Sequence, residues 1–114
     1  MYKVSFYTFS GNVSPIEEYL NSIEESVRAK ILTKIHYIKV FGLARDVPDL
    51  KKITNTPLWE VRILGKDNIR IFCISLPYKE VKVLHIFAKK KQKTPIKEIK
   101  LALSRYQEIL ARST

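Results

Sequence analysis

The chain holds one cysteine, Cys73, and two histidines among 114 residues. A lone thiol forms no disulfide within the chain, and one Cys with two His spells no metal cluster. Cys73, set in an apolar strand, reads as a small buried hydrophobe. No apolar run approaches the roughly 18 residues of a membrane span. The opening MYKVSFYTFSG lacks the apolar run and small-residue cleavage site of a signal peptide. These absences predict a cytoplasmic protein with no membrane partner, no metal and no cofactor. Repeats, linkers and low-complexity segments are also missing, apart from a short lysine run. One domain over residues 1–114 is expected, long enough to bury about two thirds of its unfolded surface. With 46% hydrophobic and 28% charged residues, the composition is globular rather than disordered.

Negative charge is the other shortage. Against 21 Lys and Arg stand 11 Asp and Glu, for a net charge of +10. The imbalance is uneven: residues 1–27 carry Lys3 against Glu17, Glu18, Glu24 and Glu25, whereas the excess of cations lies in residues 28–114. Such a basic field suits a polyanion, and nucleic acid is the usual one.

Alternation over Tyr2 to Phe9 predicts a strand, and Ser10-Gly11-Asn12 breaks it. Ser14-Pro15-Ile16-Glu17 is a capping box with proline at the first helical position, followed by Ile16, Tyr19, Leu20 and Ile23 at helical spacing. Ser22-Ile23-Glu24-Glu25 repeats the box, and Val27, Ile31, Ile35 and Ile38 mark a longer helix that Gly42 can end. The result is a helical hairpin. His36, amid Ile35, Tyr37 and Ile38, reads as structural or interfacial. Lys51 to Asn55 suggests another short strand. LWEVRIL, IRIFCISL and EVKVLHIFA then form an antiparallel meander joined by Gly65-Lys66-Asp67-Asn68 and Pro77-Tyr78-Lys79. Trp59, Val61 and Ile63 share one face and Glu60 and Arg62 the other, so Trp59 reads as core. Strict alternation in the last strand sets Val81, Val83, His85 and Phe87 together. The second and third strands are apolar on both faces, which places them centrally, with helices covering one side. Ile96, Ile99, Leu103, Tyr106 and Leu110 form the stripe of a final helix packed on the sheet. The fold class is α+β.

Between the meander and that helix lie Lys89, Lys90, Lys91 and Lys93, then Thr94 as a cap and Pro95 in the first turn. Ammonium groups and free helix N–H groups converge there, where a phosphate binds readily.

WEVRI, NIRIF and VLHIFAKKKQKTP, followed by EIKLALSRYQEIL, resemble the RelE/ParE superfamily of bacterial toxins, in its phage-derived HigB-like branch. The likeness runs from the opening strand through the final helix and implies a RelE-like fold. It also implies a toxin of a type II toxin-antitoxin system: a metal-independent, ribosome-dependent endoribonuclease that cuts messenger RNA and inhibits translation. The implied partners are the ribosome with its messenger and a cognate helix-turn-helix antitoxin, through which alone the complex binds operator DNA. Arg62 matches the arginine of the W-E-x-R strand, Arg70 that of the next strand, and Lys89, Lys90 and Lys93 the lysines before T-P. The ending Arg112-Ser113-Thr114 has no His or Tyr, so no C-terminal general acid is carried over.

Metal-free RNA cleavage needs a base, an acid and cations aimed at the phosphoryl oxygens. Arg62 and Arg70 suit the last task, being always charged and able to hold two oxygens at once. Crowded ammonium groups favour the neutral form of one of them, which makes Lys89 or its neighbours, Lys90 included, the candidate base. Lys91, Lys93 and Thr94 are candidate RNA contacts, Tyr78 a base-stacking residue at a hairpin tip, and His85 either a substrate contact or a hydrogen-bonded structural histidine. Structural readings compete: a lysine run is a common solvated edge, and Arg62 can simply pair with Glu60 or a cross-strand acid. Two other functions fit the same chain: a ParE-like inhibitor of DNA gyrase, and a non-catalytic RNA-binding module.

Overall fold

The computed structural model describes residues 1–9, 11–90, 93 and 95–112. In chain order the elements are β1 (Lys3–Phe6), α1 (Pro15–Ser22), α2 (Glu25–Phe41), β2 (Leu50–Lys52), β3 (Trp59–Ile63), β4 (Ile69–Leu76), β5 (Glu80–Ala88) and α3 (Ile96–Arg112). The strands form one mixed sheet in the order β1-β5-β4-β3-β2. β3, β4 and β5 make the expected antiparallel meander, β2 extends it antiparallel to β3, and β1 adds to β5 in parallel.

Helices cover both faces of this sheet, not one. Pairing puts Val61, Ile63, Ile69, Ile71 and Ile86 on a single face, and α1 and α2 bury Ile16, Leu20, Val27, Ile31, Ile35 and Ile38 into the core there. α3 lies across the other face. A sheet with no solvent-facing side explains why β4 is apolar at almost every position.

The hairpin begins as its sequence dictates, with the Glu17 amide donating to Ser14 Oγ at 3.3 Å. The second capping box does not form. Ser22 Oγ donates instead to the Tyr19 carbonyl, and Arg28 reaches back to the carbonyls of Leu20 and Ile23, at 2.7 and 3.2 Å. With only two residues between the helices, Arg28 satisfies the orphan carbonyls at the end of α1. Gly42 ends α2 at φ 75°, its amide bonded to the Ile38 carbonyl.

Two alternation patterns are corrected. Phe72 pairs with His85 but Cys73 pairs with Val83, so Leu84 is an extra residue in β5. That bulge switches faces within one strand. Val81 and Val83 turn toward the hairpin helices, while His85 and Phe87 turn toward α3. The Leu84 carbonyl is taken by Arg105 Nη1 at 2.7 Å. In α3 the buried residues are Ala102 and Arg105, with Ile99, Leu103, Tyr106 and Ile109 packed beside them, whereas Ile96 and Leu110 are exposed. Pro95 precedes the helix rather than standing in its first turn, and its carbonyl accepts the first bonds, from Glu98 and Ile99. The proposed cap Thr94 is outside the described residues. Among the described residues no helix is long and apolar enough to cross a membrane.

Candidate active site

The register of the meander decides which side chains meet. Arg62 is directly opposite Arg70, and Arg70 opposite Phe87; one row along, Glu60 is opposite Phe72, and Phe72 opposite His85. All six side chains share the face covered by α3. Two guanidinium groups side by side repel, and such a cross-strand pair is ordinarily destabilising. Each has its own carboxylate here. Arg62 Nη2 lies 3.9 Å from Asp49 Oδ1, and Arg70 Nε lies 3.7 Å from Glu60 Oε2. Asp49 is fixed in turn by Lys34 at 3.3 Å and by its carbonyl, which accepts from the Arg62 amide.

The two arginines differ in access. The Arg62 side chain is 46% exposed, whereas that of Arg70 is 7% exposed, against 2% for Glu60. Arg70 Nη1 is committed to Asn68 Oδ1 at 2.7 Å and to the Ile69 carbonyl. Asn68 also donates through Nδ2 to the Lys89 carbonyl at 2.9 Å, and its own carbonyl accepts from the Lys89 amide. One turn asparagine, at φ 51°, therefore ties the buried guanidinium to the segment that carries the lysines. Asparagine tolerates this left-handed conformation better than other non-glycine residues.

Beside this pair opens a cavity of about 400 Å³ lined by Lys51, Lys52, Ile53, Thr54, Glu60, Lys89, Lys93 and Ile99. β2 contributes Lys51 and Lys52, the segment after β5 contributes Lys89 and Lys93, and α3 contributes Ile99. Glu60 is reached by Lys51 Nζ at 3.8 Å. Among the described residues, four ammonium groups from two distant parts of the chain surround one concavity, a setting that attracts a phosphodiester and stabilises charge developing on it.

The other candidates are placed as follows. Lys90 is exposed and is not among the lining residues. Lys91 and Thr94 lie outside the described residues. His85 is taken up by the fold: its Nε2 is 2.8 Å from Glu98 Oε1, its ring stacks on Phe87, and its side chain is 13% exposed. Burial pulls its pKa below the usual histidine value, although the Glu98 carboxylate acts the other way. Tyr78 is 99% exposed at the β4–β5 hairpin tip, beyond Leu76 at the end of β4, and that strand end alone is roughly 20 Å from Arg70 at strand rise. It is not part of this cavity. Trp59 is half-buried, with Lys52 Nζ 5.5 Å above its ring. Cys73 is wholly buried, and burial pushes its thiol up to about 12.

The sequence names Glu60 only as a partner for Arg62, which pairs with Asp49 instead, and Asn68 only as a turn residue; Lys51 and Lys52 stand in a short strand with no site role. A signal for Glu60 existed: a carboxylate in strand alternation with Arg62, on a strand whose neighbour is apolar on both faces, has to be buried and has to meet a cation. Lys51 and Lys52 gave none, because only the pairing of β2 with β3 brings them over Glu60.

Residues 18–107 match the family described as phage derived protein Gp49-like (DUF891). No curated protein matches the chain. Among solved structures, a mutant of the E. coli toxin RelE in the free state superposes with a TM-score of 0.65 at 13% identity, covering 91% of this chain and 96% of that one. At that identity the likeness concerns the fold, and it agrees with the three helices and five-stranded sheet found here. The chain belongs to the phage-derived Gp49-like family, a RelE-type toxin family within the RelE/ParE superfamily.

Proposed function

We propose that this chain is the toxin of a type II toxin-antitoxin system and acts as a metal-independent endoribonuclease on messenger RNA held by the ribosome. The observation that carries this reading is the lysine-lined cavity beside the Arg62–Arg70 pair. Lys51, Lys52, Lys89 and Lys93 bind the phosphodiester and offset the charge that builds on its non-bridging oxygens. Arg62, the exposed member of the pair, reaches the same strand of RNA from the open side. Arg70 acts from behind. Buried between Asn68 and Glu60, it fixes the floor and the course of the lysine segment rather than gripping substrate. His85 and Tyr78 are left out of the RNA contacts, the first because Glu98 holds it, the second because it sits at the far end of the sheet.

A surface this basic, carried by a toxin family, calls for a cognate antitoxin that covers it. The helix-turn-helix repressor implied by the resemblance is the partner we propose, with operator DNA reached only through it. The test uses purified protein with a messenger on programmed ribosomes, the same messenger free in solution, and DNA gyrase. Cleavage on the ribosome with little on free RNA and unimpaired supercoiling supports the reading. Loss of supercoiling with intact messenger would replace it with gyrase inhibition, and tight RNA binding without cleavage would reduce the chain to an RNA-binding module.

A further inference from the structure

We infer that Glu60 is the proton acceptor of the cleavage step, a catalytic residue that takes the proton of the attacking ribose 2′-hydroxyl. The inference rests on the ribonuclease reading and specifies its chemistry. Glu60 sits on the inner face of β3 and lines the cavity together with four lysines. It is faced by Arg70 from β4 at 3.7 Å and by Lys51 from β2 at 3.8 Å. Lys52, Lys89 and Lys93 stand around the same space, and α3 presents Ile99 to it. The carboxylate one residue earlier in α3, Glu98, is turned to His85.

Two arguments single out this carboxylate. The first is inventory. Among the described residues, every other charged group lining the cavity is an ammonium, which donates protons and accepts none while charged. Glu60 is the carboxylate there, and its oxygens are the acceptors. The second is cost. A pocket whose task is only to hold a phosphate loses attraction with every anion placed in its floor, and a buried ion pair adds little net stability, because desolvation offsets the Coulombic gain. A buried carboxylate under four lysines weakens anion binding, and its pairing with Arg70, which offsets the repulsion from Arg62, does not call for a place in the cavity lining. Proton transfer is the role that uses that place. The cations around Glu60 have a matching use, since they draw the phosphodiester over it.

The step balances without any added reagent. The 2′-O–H bond breaks and its proton passes to Glu60; the 2′-oxygen forms a bond to the adjacent phosphorus; the bond from phosphorus to the 5′-oxygen breaks, and that oxygen leaves with a proton from a neighbouring ammonium such as Lys89. The products are a 2′,3′-cyclic phosphate and a 5′-hydroxyl. Water then takes the proton from Glu60 and returns one to the lysine.

The test is single-turnover cleavage of ribosome-bound messenger across a pH series, comparing the wild-type chain with Glu60→Gln and Glu60→Asp. In the wild type the rate rises about tenfold per pH unit along the acidic limb and then levels off. Glu60→Gln binds programmed ribosomes at least as tightly as the wild type, cleaves about a hundredfold or more slowly, and has no acidic limb. A role confined to holding Arg70 leaves that limb in place, so its persistence in Glu60→Gln overturns the assignment, as does a rate near the wild-type value. If Glu60→Gln does not fold, Glu60→Asp decides: a slower rate with the limb retained supports the proposal, and an unchanged rate overturns it. A wild-type chain that cleaves nothing on the ribosome overturns the ribonuclease reading itself, and this inference falls with it.

Discussion

Arg62 and Arg70 face each other across β3 and β4, one guanidinium open to solvent and the other buried between Asn68 and Glu60. On the proposed function, the same residue type, one strand apart, serves two tasks. Replacing Arg62 with Ala removes a group whose partner Asp49 retains Lys34, so stability changes by less than about 1 kcal/mol, while cleavage falls about a hundredfold. Replacing Arg70 with Ala takes a buried guanidinium from Asn68, from the Ile69 carbonyl and from Glu60, which keeps Lys51, and costs about 1–3 kcal/mol. Urea unfolding and ribosome-dependent cleavage, measured on both variants, separate these outcomes; equal stability of the two would contradict the division.

Gly42 joins α2 to the rest of the fold under tight constraint. A Cβ at this position would stand 2.5 Å from the Tyr2 ring, and φ is 75°, a conformation that side chains resist. Tyr2 is held there by its amide, which donates to the Lys39 carbonyl at 2.8 Å. Gly42→Ala is expected to destabilise by about 2 kcal/mol or more. Adding Tyr2→Ala should return part of that loss by removing the clash and leave the backbone strain, a non-additivity that a double-mutant cycle in urea reads directly.

Arg105 anchors α3 to the bulge in β5. Its guanidinium donates to the Leu84 carbonyl and lies 5.0 Å from the Tyr7 ring centroid, while the Tyr7 hydroxyl bonds to Glu108. Arg105→Met keeps the apolar stem and leaves the bulge carbonyl unpaired, for a loss of about 1–3 kcal/mol. Hydrogen exchange should show the loss concentrated in α3 and β5; protection lowered evenly across the sheet would argue against a local anchor.

The His85 pKa fixes a pH dependence of stability. Burial holds it below the ordinary value of 6.5 in the folded chain, so the unfolded chain binds the proton more readily. The contribution is complete above about pH 6.5, declines as pH falls from there through the folded-state pKa, and is constant below it. Comparing urea midpoints of the wild type and His85→Gln between about pH 5 and 7.5 isolates this effect. The wild type should lose more stability on acidification; parallel curves would contradict the assignment.

Much of this architecture is written locally. The Ser14 cap, the Gly42 terminator and the three meander strands follow from periodicity and turn residues within a few positions of each other. The resemblance to RelE-type toxins lay in the order of W-E-x-R and F-A-K-K-K-Q-K-T-P. What escaped the sequence depends on partners distant along the chain. The bulge at Leu84 leaves no mark in a run of apolar residues, yet it decides that His85 faces α3. Lys51 and Lys52 join Lys89 only because β2 pairs at the edge of β3. Arg28 outcompetes the second capping box because α2 starts so soon after α1 ends that its side chain reaches back over the joint.

The most direct measurement is induced expression of this chain in bacteria with mapping of messenger RNA ends, with and without a block on translation initiation. Cuts inside codons of translated messages that disappear when initiation is blocked are the predicted result. Arg62→Ala and Glu60→Gln should abolish those cuts although both proteins accumulate. Intact messages in cells arrested by the wild-type chain, or cuts that persist on untranslated RNA, would contradict a ribosome-dependent ribonuclease.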